Sequence, residues 1–388
     1  MTTDVSYLER KAATTAIKPG DVIVAVLACL TLLGVVAGVG RLVLGLGPTT
    51  GLNDEYPWGI WIGFDFLLIA FAGTGFTMAA LVHVFRLEQF KDAVRPAVLA
   101  GLLGYTAVLL LLVLDLGRPD RFYHFIISWN LHSPLFEVSW CVLLYTTVLV
   151  IENSPFLFER LNWRWPVQIA FKIMPVVAIV GVTLSSLHQS TLGTLYLNMP
   201  HRINPLWYTP ILPVLFFTSA VMAGLSLAVL VYILATRIVG RPAKVEIVDG
   251  LGKGAALVAL IYLVMKVGDL ALAGKLPALF ALDEMSLLML AELGIGVVLP
   301  AALLLVPTVG RRPVVRWLAP ALILAGVFAN RFDITLFAQR APDGAIYVPS
   351  WLEWLSTAGI LSAVALAWYL AVRFLVIFDS RAEEQYHH

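Results

Sequence analysis

The chain has 388 residues, 60% of them hydrophobic and 13% charged, with a formal net charge of +1. A soluble domain carries about a quarter charged residues, so a soluble fold is excluded, and the near-neutral balance gives no sign of a nucleic-acid partner. The two cysteines, Cys29 and Cys141, are too few for an iron–sulfur cluster, which takes about four thiolates, and no CxxCH motif offers covalent haem attachment.

Apolar blocks recur along the whole sequence, each about as long as the roughly 20 residues that one bilayer crossing needs. Backbone groups in lipid must bond within their own segment, so continuous blocks of this length read as helices. A β-barrel would need short alternating segments instead. The first block follows Arg10, Lys11 and Lys18, is too long for a signal peptide and has no small-residue cleavage site after it, so it reads as a span. Ten spans are predicted, near 20–46, 58–85, 96–116, 134–152, 167–188, 210–236, 252–273, 285–307, 313–330 and 351–378, with Pro300 interrupting the eighth. The expected fold is all-α, a polytopic transmembrane helix bundle forming a single integral membrane domain over residues 1–388.

Lys and Arg orient the chain. Arg10, Lys11, Lys18, Arg86, Lys91, Arg95, Arg160, Arg164, Arg237, Arg241, Lys244, Lys253, Arg311, Arg312, Arg316, Arg373 and Arg381 fall on the N-terminal side. The other side has only Arg41, Arg118, Arg121, Arg202, Lys275, Arg331 and Arg340. Both termini are therefore expected in the cytoplasm. The outer loops are longer and rich in Trp, Tyr, Pro, His and Asn, as in TGLNDEYPWGIW, LGRPDRFYHFIISWNLHSP, HQSTLGTLYLNMPHRINPLWY and RFDITLFAQRAPDGAIYVPSW. An aromatic interfacial belt explains part of this. The rest reads as a docking surface or the roof of a site.

Polar residues inside spans are costly and mark function. Asp65 lies about two turns into the second span, with His83 near its cytoplasmic end. The third span carries Tyr105 and ends at Asp115, followed by Arg118. Glu137 lies about one turn into the fourth. The fifth ends in Ser185, Ser186, His188 and Gln189, the seventh holds Lys266 and Asp269, and the eighth holds Glu292. At 1.5 Å per residue, Asp65, Asp115, Arg118, Glu137 and His188 share the outer half of the membrane, where one polar pocket would satisfy them together. Asp115 with Arg118, and Lys266 with Asp269, can equally be ion pairs of purely structural meaning. Asp65 and Glu137 have no opposite charge nearby in sequence, and a carboxyl group so placed can exchange protons with a ligand. Tyr105 gains interest if it faces Glu137. Bis-histidine haem needs two histidines at matching depth. His83 and His188 lie at opposite ends of the membrane, which argues against b-type haem.

Six segments together give a resemblance: LNDEYPWGIWIGFDF (52–66), VRPAVLAGLLGY (94–105), DLGRP with its following Asp (115–120), SPLFE (133–137), LHQSTLGTLYL (187–197) and PLWY (205–208), with PSWLEW (349–354) as a weaker continuation. The chain resembles the NrfD/PsrC superfamily of quinone-interacting membrane subunits. It looks most like the ten-span HybB branch, the membrane subunit of periplasmic nickel–iron hydrogenases, to which DsrP and HmcC-type subunits also belong. DLGRPDRFYHF follows only the general superfamily form.

The resemblance implies a quinone-binding, multi-pass subunit of the bacterial inner membrane, with either menaquinone or ubiquinone as ligand. Its implied partners are a periplasmic ferredoxin-like iron–sulfur subunit and the catalytic subunits behind it, with no iron–sulfur cluster or metal in this chain. Carried over by motif, Glu137 and Tyr105 stand at the quinone or proton path. Asp65 fits the same pocket by position, and His188, Asp115, Arg118 and Trp58 are assigned to quinone binding. His83, Arg95, Asp269 and Glu292 are assigned to proton transfer. The alternatives are a DsrP/HmcC-type subunit of a sulfur-metabolism complex, a proton-coupled transporter, and a structural anchor.

Overall fold

A computed structural model describes residues 19–340, 346–375 and 377–378. Arg10, Lys11, Lys18 and Arg381, used above for orientation, lie outside them. Among the described residues, ten helices are long and apolar enough to cross a membrane: α1 (Gly20–Leu44), α2 (Ile60–Val84), α3 (Glu88–Asp115), α4 (Pro134–Arg160), α5 (Arg164–Leu197), α6 (Leu212–Val239), α7 (Val245–Leu272), α8 (Glu284–Leu305), α9 (Pro313–Phe337) and α10 (Trp351–Phe374). No strand occurs among the described residues beyond one isolated bridge, Ile203 to Gln339. The even number of crossings returns the chain to the side on which it started. That side is called the basic face below and the opposite one the loop face.

Two helices are central. In α2 72% of the apolar window is buried in the protein and in α6 67%, against 17% in α1. Lipid tails are as apolar as Leu, so membrane helices associate through close packing of small residues rather than by escaping water. Gly73 of α2 meets Gly224 of α6: a Cβ on Gly224 would lie 2.9 Å from the Gly73 carbonyl oxygen and 2.8 Å from Thr77 Oγ1. Around this crossing α3, α4 and α5 pack on the α2 side, and α7, α8 and α9 on the α6 side. The outer helices α1 and α10 form a separate tight pair, where a Cβ on Gly34 would lie 2.3 Å from Gly359 Cα.

Helices α3, α4 and α7 run about two turns past the expected bounds at the basic face, and three further spans differ from the sequence expectation in ways that bear on the site. Helix α5 runs to Leu197 rather than ending near residue 188. Its hydroxyl side chains are satisfied within the helix by bonding back one turn, Ser190 to the Ser186 carbonyl and Thr194 to the Ser190 carbonyl. His188 is therefore inside a span, nine residues or about 13 Å from its end. Helix α8 passes Pro300 without breaking, because a π-helical turn at Gly294–Val298 precedes it and absorbs the clash a proline makes with the preceding turn. Helix α9 continues to Phe337 through a second π-turn, Asp333–Phe337. Arg331, expected in an outer loop, is thus intramembrane and fully buried. It stacks on Phe216 at 3.9 Å and donates to Ser219 Oγ, the Phe216 carbonyl and Asn330 Oδ1.

The loop face is tied down by one carboxylate. Glu353, at the start of α10 and wholly buried, completes a capping box with Ser350. It also accepts from the Gly51 N–H at 2.8 Å and the Tyr347 hydroxyl at 2.5 Å. Burial, and then this bond, push the Tyr347 phenol above its ordinary range, so it stays protonated and donates. Its oxygen in turn accepts from the Ile60 N–H at 2.9 Å. Two distant sequence stretches are thereby joined over the start of α2.

Replacing Glu353 by Ala leaves the Gly51 and Ser350 N–H groups and the Tyr347 hydroxyl without this partner. The expected cost is roughly 2–4 kcal/mol, read as a lower thermal midpoint in detergent, with Glu353→Gln losing less. Gly224→Leu forces α6 off α2 and should cost about 1–3 kcal/mol as overpacking, read in the same assay.

Candidate functional site

Helices α2 to α5 hold a line of polar side chains that is exposed at its first member and buried beyond it. It begins at the loop face with Glu137, one turn into α4. Pro134 opens that helix, its missing N–H costing nothing there. Glu137 is open to the protein surface and its Oε1 accepts from Thr191 Oγ1 of α5 at 2.7 Å. One turn inward from Thr191, on the same helix face, is His188, fully buried. Its Nδ1 is 2.8 Å from the Tyr105 hydroxyl of α3, and its Nε2 is buried without a hydrogen-bond partner. The Tyr105 ring meets Tyr145 of α4 edge-on at 4.8 Å. The buried Ser185 Oγ of α5 stands within interaction range of both the Tyr105 and Tyr145 hydroxyls, without a well-aligned hydrogen bond to either.

The sequence expectations sort as follows. Tyr105 and His188 come together, but Tyr105 does not pair with Glu137. Thr191 takes Glu137, and His188 takes Tyr105. Asp65 is 2% exposed with both carboxylate oxygens lacking a hydrogen bond. No hydrogen bond joins it to the Tyr105–His188 pair. Asp115 and Arg118 do not form an ion pair: Arg118 turns outward to Asp120 at 2.8 Å, both being exposed. Asp115 stays half-buried with Oδ1 unpaired, and Arg41 of α1 bonds the adjacent Leu116 carbonyl at 2.5 Å. Trp58 packs edge-on against Tyr196 of α5, at the roof of the α2–α5 unit. Arg95 is clamped by Glu159 at 2.8 and 2.9 Å. His83 lies in a π-turn at the basic-face end of α2.

Asp269 and Glu292 belong to a different cluster, among α6 to α9. Lys266 makes no direct ion pair with Asp269, although the two attract at longer range. It donates to the Leu206 carbonyl at 2.8 Å, while Asp269 accepts from Thr209 at 2.6 Å. Glu292 accepts from Trp207, Tyr262 and Asn330 at 2.9–3.1 Å. Asn330 thereby bridges Glu292 to Arg331.

Sequence reasoning missed Thr191, Tyr145 and Glu152. A signal was available: Glu137, Cys141, Tyr145 and Glu152 recur at helical spacing along one face of α4. The site holds a phenol, an imidazole and a carboxylate joined by hydrogen bonds, a set that can orient a carbonyl-bearing ligand and exchange protons with it.

With this geometry established, the chain can be compared with known proteins. It belongs to the NrfD family: the model described as "Polysulphide reductase, NrfD" matches residues 48–342. It is 32% identical to the menaquinone reductase integral membrane subunit of Nitratidesulfovibrio vulgaris, over 90% of each chain. It is 31% identical to the probable Ni/Fe-hydrogenase 2 b-type cytochrome subunit of Escherichia coli, over 87% of this chain and 88% of that one. A third relative, at 26%, is an Hdr-like menaquinol oxidoreductase integral membrane subunit of Archaeoglobus fulgidus, covering 94% and 95%. These relatives accord with the HybB-like resemblance, and the chain is a multi-pass membrane protein.

The name of the second relative contains a b-type cytochrome, so the fit of haem to these residues matters. Two axial histidines at one depth are needed. Within the spans, His188 is held by Tyr105 on its Nδ1, and His83 stands at the far end of α2. These residues do not fit a bis-histidine haem.

Tyr105→Phe removes the hydroxyl and strands His188 Nδ1 in a buried place. A loss of about 1–3 kcal/mol is expected, with the helix packing otherwise intact. His188→Phe combined with it should cost less than the sum of the two single changes, because they share one bond.

Proposed function

We propose that this chain is the quinone-handling membrane subunit of a multi-subunit respiratory oxidoreductase, and that the Tyr105–His188–Thr191–Glu137 line is its quinone site. The observation that carries the reading is the 2.8 Å Tyr105–His188 bond lying one turn below Glu137–Thr191. One end of this line is dry and preorganised, and the other opens where a lipid-soluble ligand arrives. Reduction of a quinone takes two electrons and two protons. The electrons come from a partner subunit. Tyr105 and His188 hold one carbonyl oxygen of the ligand and deliver a proton to it. Glu137 serves the rim, with Thr191 fixing its carboxylate. Family membership and a relative named for menaquinone support menaquinone as ligand.

The chain acts as one integral membrane domain in the bacterial inner membrane. The Lys and Arg excess places the basic face and both termini in the cytoplasm, so the site faces the periplasm. There, the aromatic loops receive a ferredoxin-like iron–sulfur subunit and its catalytic partners. A HybB-type hydrogenase is the assembly favoured by the relative from Escherichia coli.

Glu137→Gln keeps the shape of the site and removes its charge and its proton. In the complex isolated with its partners, quinone turnover should fall by about 10²-fold or more, while the partners' reaction with an artificial electron carrier is unchanged. Wild-type quinone turnover in this variant would remove Glu137 from the mechanism.

A further inference from the structure

Outside the α2–α5 unit, where α6 and α10 end at the basic face, lies a cavity of about 400 Å³. Val239 and Arg241 line it from the α6 side, Val372 and Arg373 from α10, and Ile377 and Phe378, just after α10, close it. The closing residues are firmly held. Ile377 is buried in a small apolar cluster with Leu99, Phe156 and Val372, and the Phe378 ring meets Tyr232 of α6 edge-on at 6.2 Å. The Phe378 carbonyl accepts from Arg241 Nη1 at 2.9 Å, and the guanidinium lies 5.9 Å from the Phe378 ring. Arg241 is thereby fixed at the rim of the cavity.

The charges of this cavity are unusual for the face on which it lies. Elsewhere on the basic face, cations meet carboxylates of the protein: Arg95 with Glu159, Lys244 with Asp92 and Arg316 with Asp249, at 2.6–2.8 Å. Arg241 and Arg373 form no ion pair with a described residue, and no carboxylate lines the cavity. Each commits one N–H within the protein, Arg241 to the Phe378 carbonyl and Arg373 to the Tyr369 hydroxyl at 3.4 Å. A guanidinium has five donors, so most of them remain to be offered. The dipole of a helix favours a cation at its C-terminal end. That accounts for an arginine at each helix end and not for a cavity that both of them line.

The border of the cavity is apolar. Val239, in its lining, is 42% exposed, and Leu370 and Phe374, within one turn of Arg373, are exposed as well. On helices that cross a membrane such surface meets acyl chains. A pocket of cations between helix ends, bordered by apolar surface, has the two-part chemistry of a lipid whose headgroup carries a phosphate.

We propose that this cavity seats an anionic phospholipid of the basic-face leaflet, its phosphate between Arg241 and Arg373 and its acyl chains on the apolar surface of α6 and α10. The planar fork of arginine suits phosphate oxygens, and a headgroup placed here meets both forks at once. The lipid then joins α10 to the central helix α6. Because α10 is paired with α1 across Gly34 and Gly359, it holds the outer pair to the bundle. The proposal is independent of the quinone reading.

The test uses the full chain in nonionic detergent, read by native mass spectrometry, with phosphatidylglycerol, phosphatidylcholine and inorganic phosphate added in separate arms. Wild type should retain one more phosphatidylglycerol molecule than the double variant R241Q/R373Q, and should bind it in preference to phosphatidylcholine. Each single change should weaken phosphatidylglycerol binding about fivefold, and the pair about 30-fold. Arg237→Gln is the control. Arg237 is exposed at the same face, outside the cavity lining, and stacks on Trp317 at 5.1 Å, so its loss should leave binding unchanged. An equal loss in Arg237→Gln would reduce the effect to general surface charge and overturn the seat. Equal binding of the two lipids would overturn it too. Displacement of the lipid by millimolar inorganic phosphate would mark a site for a free anion and sink the lipid assignment. If the double variant does not fold, the comparison of the two lipids on wild type decides the matter.

Discussion

The crossing of α2 over α6 organises the molecule. With glycine on both sides of the contact, the backbones approach closely: a Cβ on Gly224 would lie 2.9 Å from the Gly73 carbonyl oxygen, and one on Gly73 3.2 Å from the Ala220 carbonyl oxygen. A contact of this kind fixes rotation as well as distance, because one face of each helix is committed. The remaining faces of α2 are then assigned. Gln189 of α5 bonds the Ile69 carbonyl at 2.7 Å, Gly75 faces Gly101 of α3, and Trp61 reaches Ser356 of α10 at 3.1 Å. The helix that carries Asp65 thus touches both units and the outer pair, and the polar line is built against a rigid wall.

The two units treat their buried polar groups differently, and the difference is physical rather than one of composition. Among α6 to α9 the network is more nearly closed, although Asp269 Oδ2, Arg331 Nε and Asp333 Oδ2 keep no partner. Glu292 has three neutral donors, Lys266 a carbonyl, and Arg331 a ring, two side-chain oxygens and a carbonyl. A satisfied network of this kind rigidifies. Among α2 to α5 the reverse holds: Asp65, Tyr145, Ser185, His188 and Glu152 all keep unpaired polar atoms. Unpaired groups in low dielectric are costly, and a ligand or water that pairs them recovers that cost on binding. The asymmetry is the reason to place chemistry in the first unit and to read the second as its support.

Span number was legible in the sequence, because the bilayer imposes length and composition on every crossing. The end of α5 was not. Residues 188–197 look like a polar loop by composition, yet the backbone stays helical, and Ser190 and Thr194 turn their hydroxyls back onto carbonyls one turn earlier. Arg331 was misplaced for a related reason: a charge near a span end reads as loop unless its ring and carbonyl partners are known. The structure brings Tyr105, His188 and Glu137 into one line, while their pairing differs from the sequence expectation. Depth follows from rise per residue, whereas pairing depends on helix rotation, which no single segment encodes. Thr191 was invisible for that reason, being one of many threonines until α4 and α5 are set side by side.

The corrected pairing changes the chemistry that the site can perform. Had Tyr105 faced Glu137 directly, one short bond would have joined ligand, phenol and carboxylate at the rim. Instead the carboxylate stays at the opening on Thr191, and the phenol is drawn inward by His188. The two proton-exchanging groups are therefore separated along the helix axis. One is open to the protein surface, and the other continues inward to Tyr145 and to the unpaired groups beneath it. Under the quinone reading, the two carbonyl oxygens of a ligand seated between them would meet different groups, a phenol–imidazole pair at one end and a carboxylate at the other.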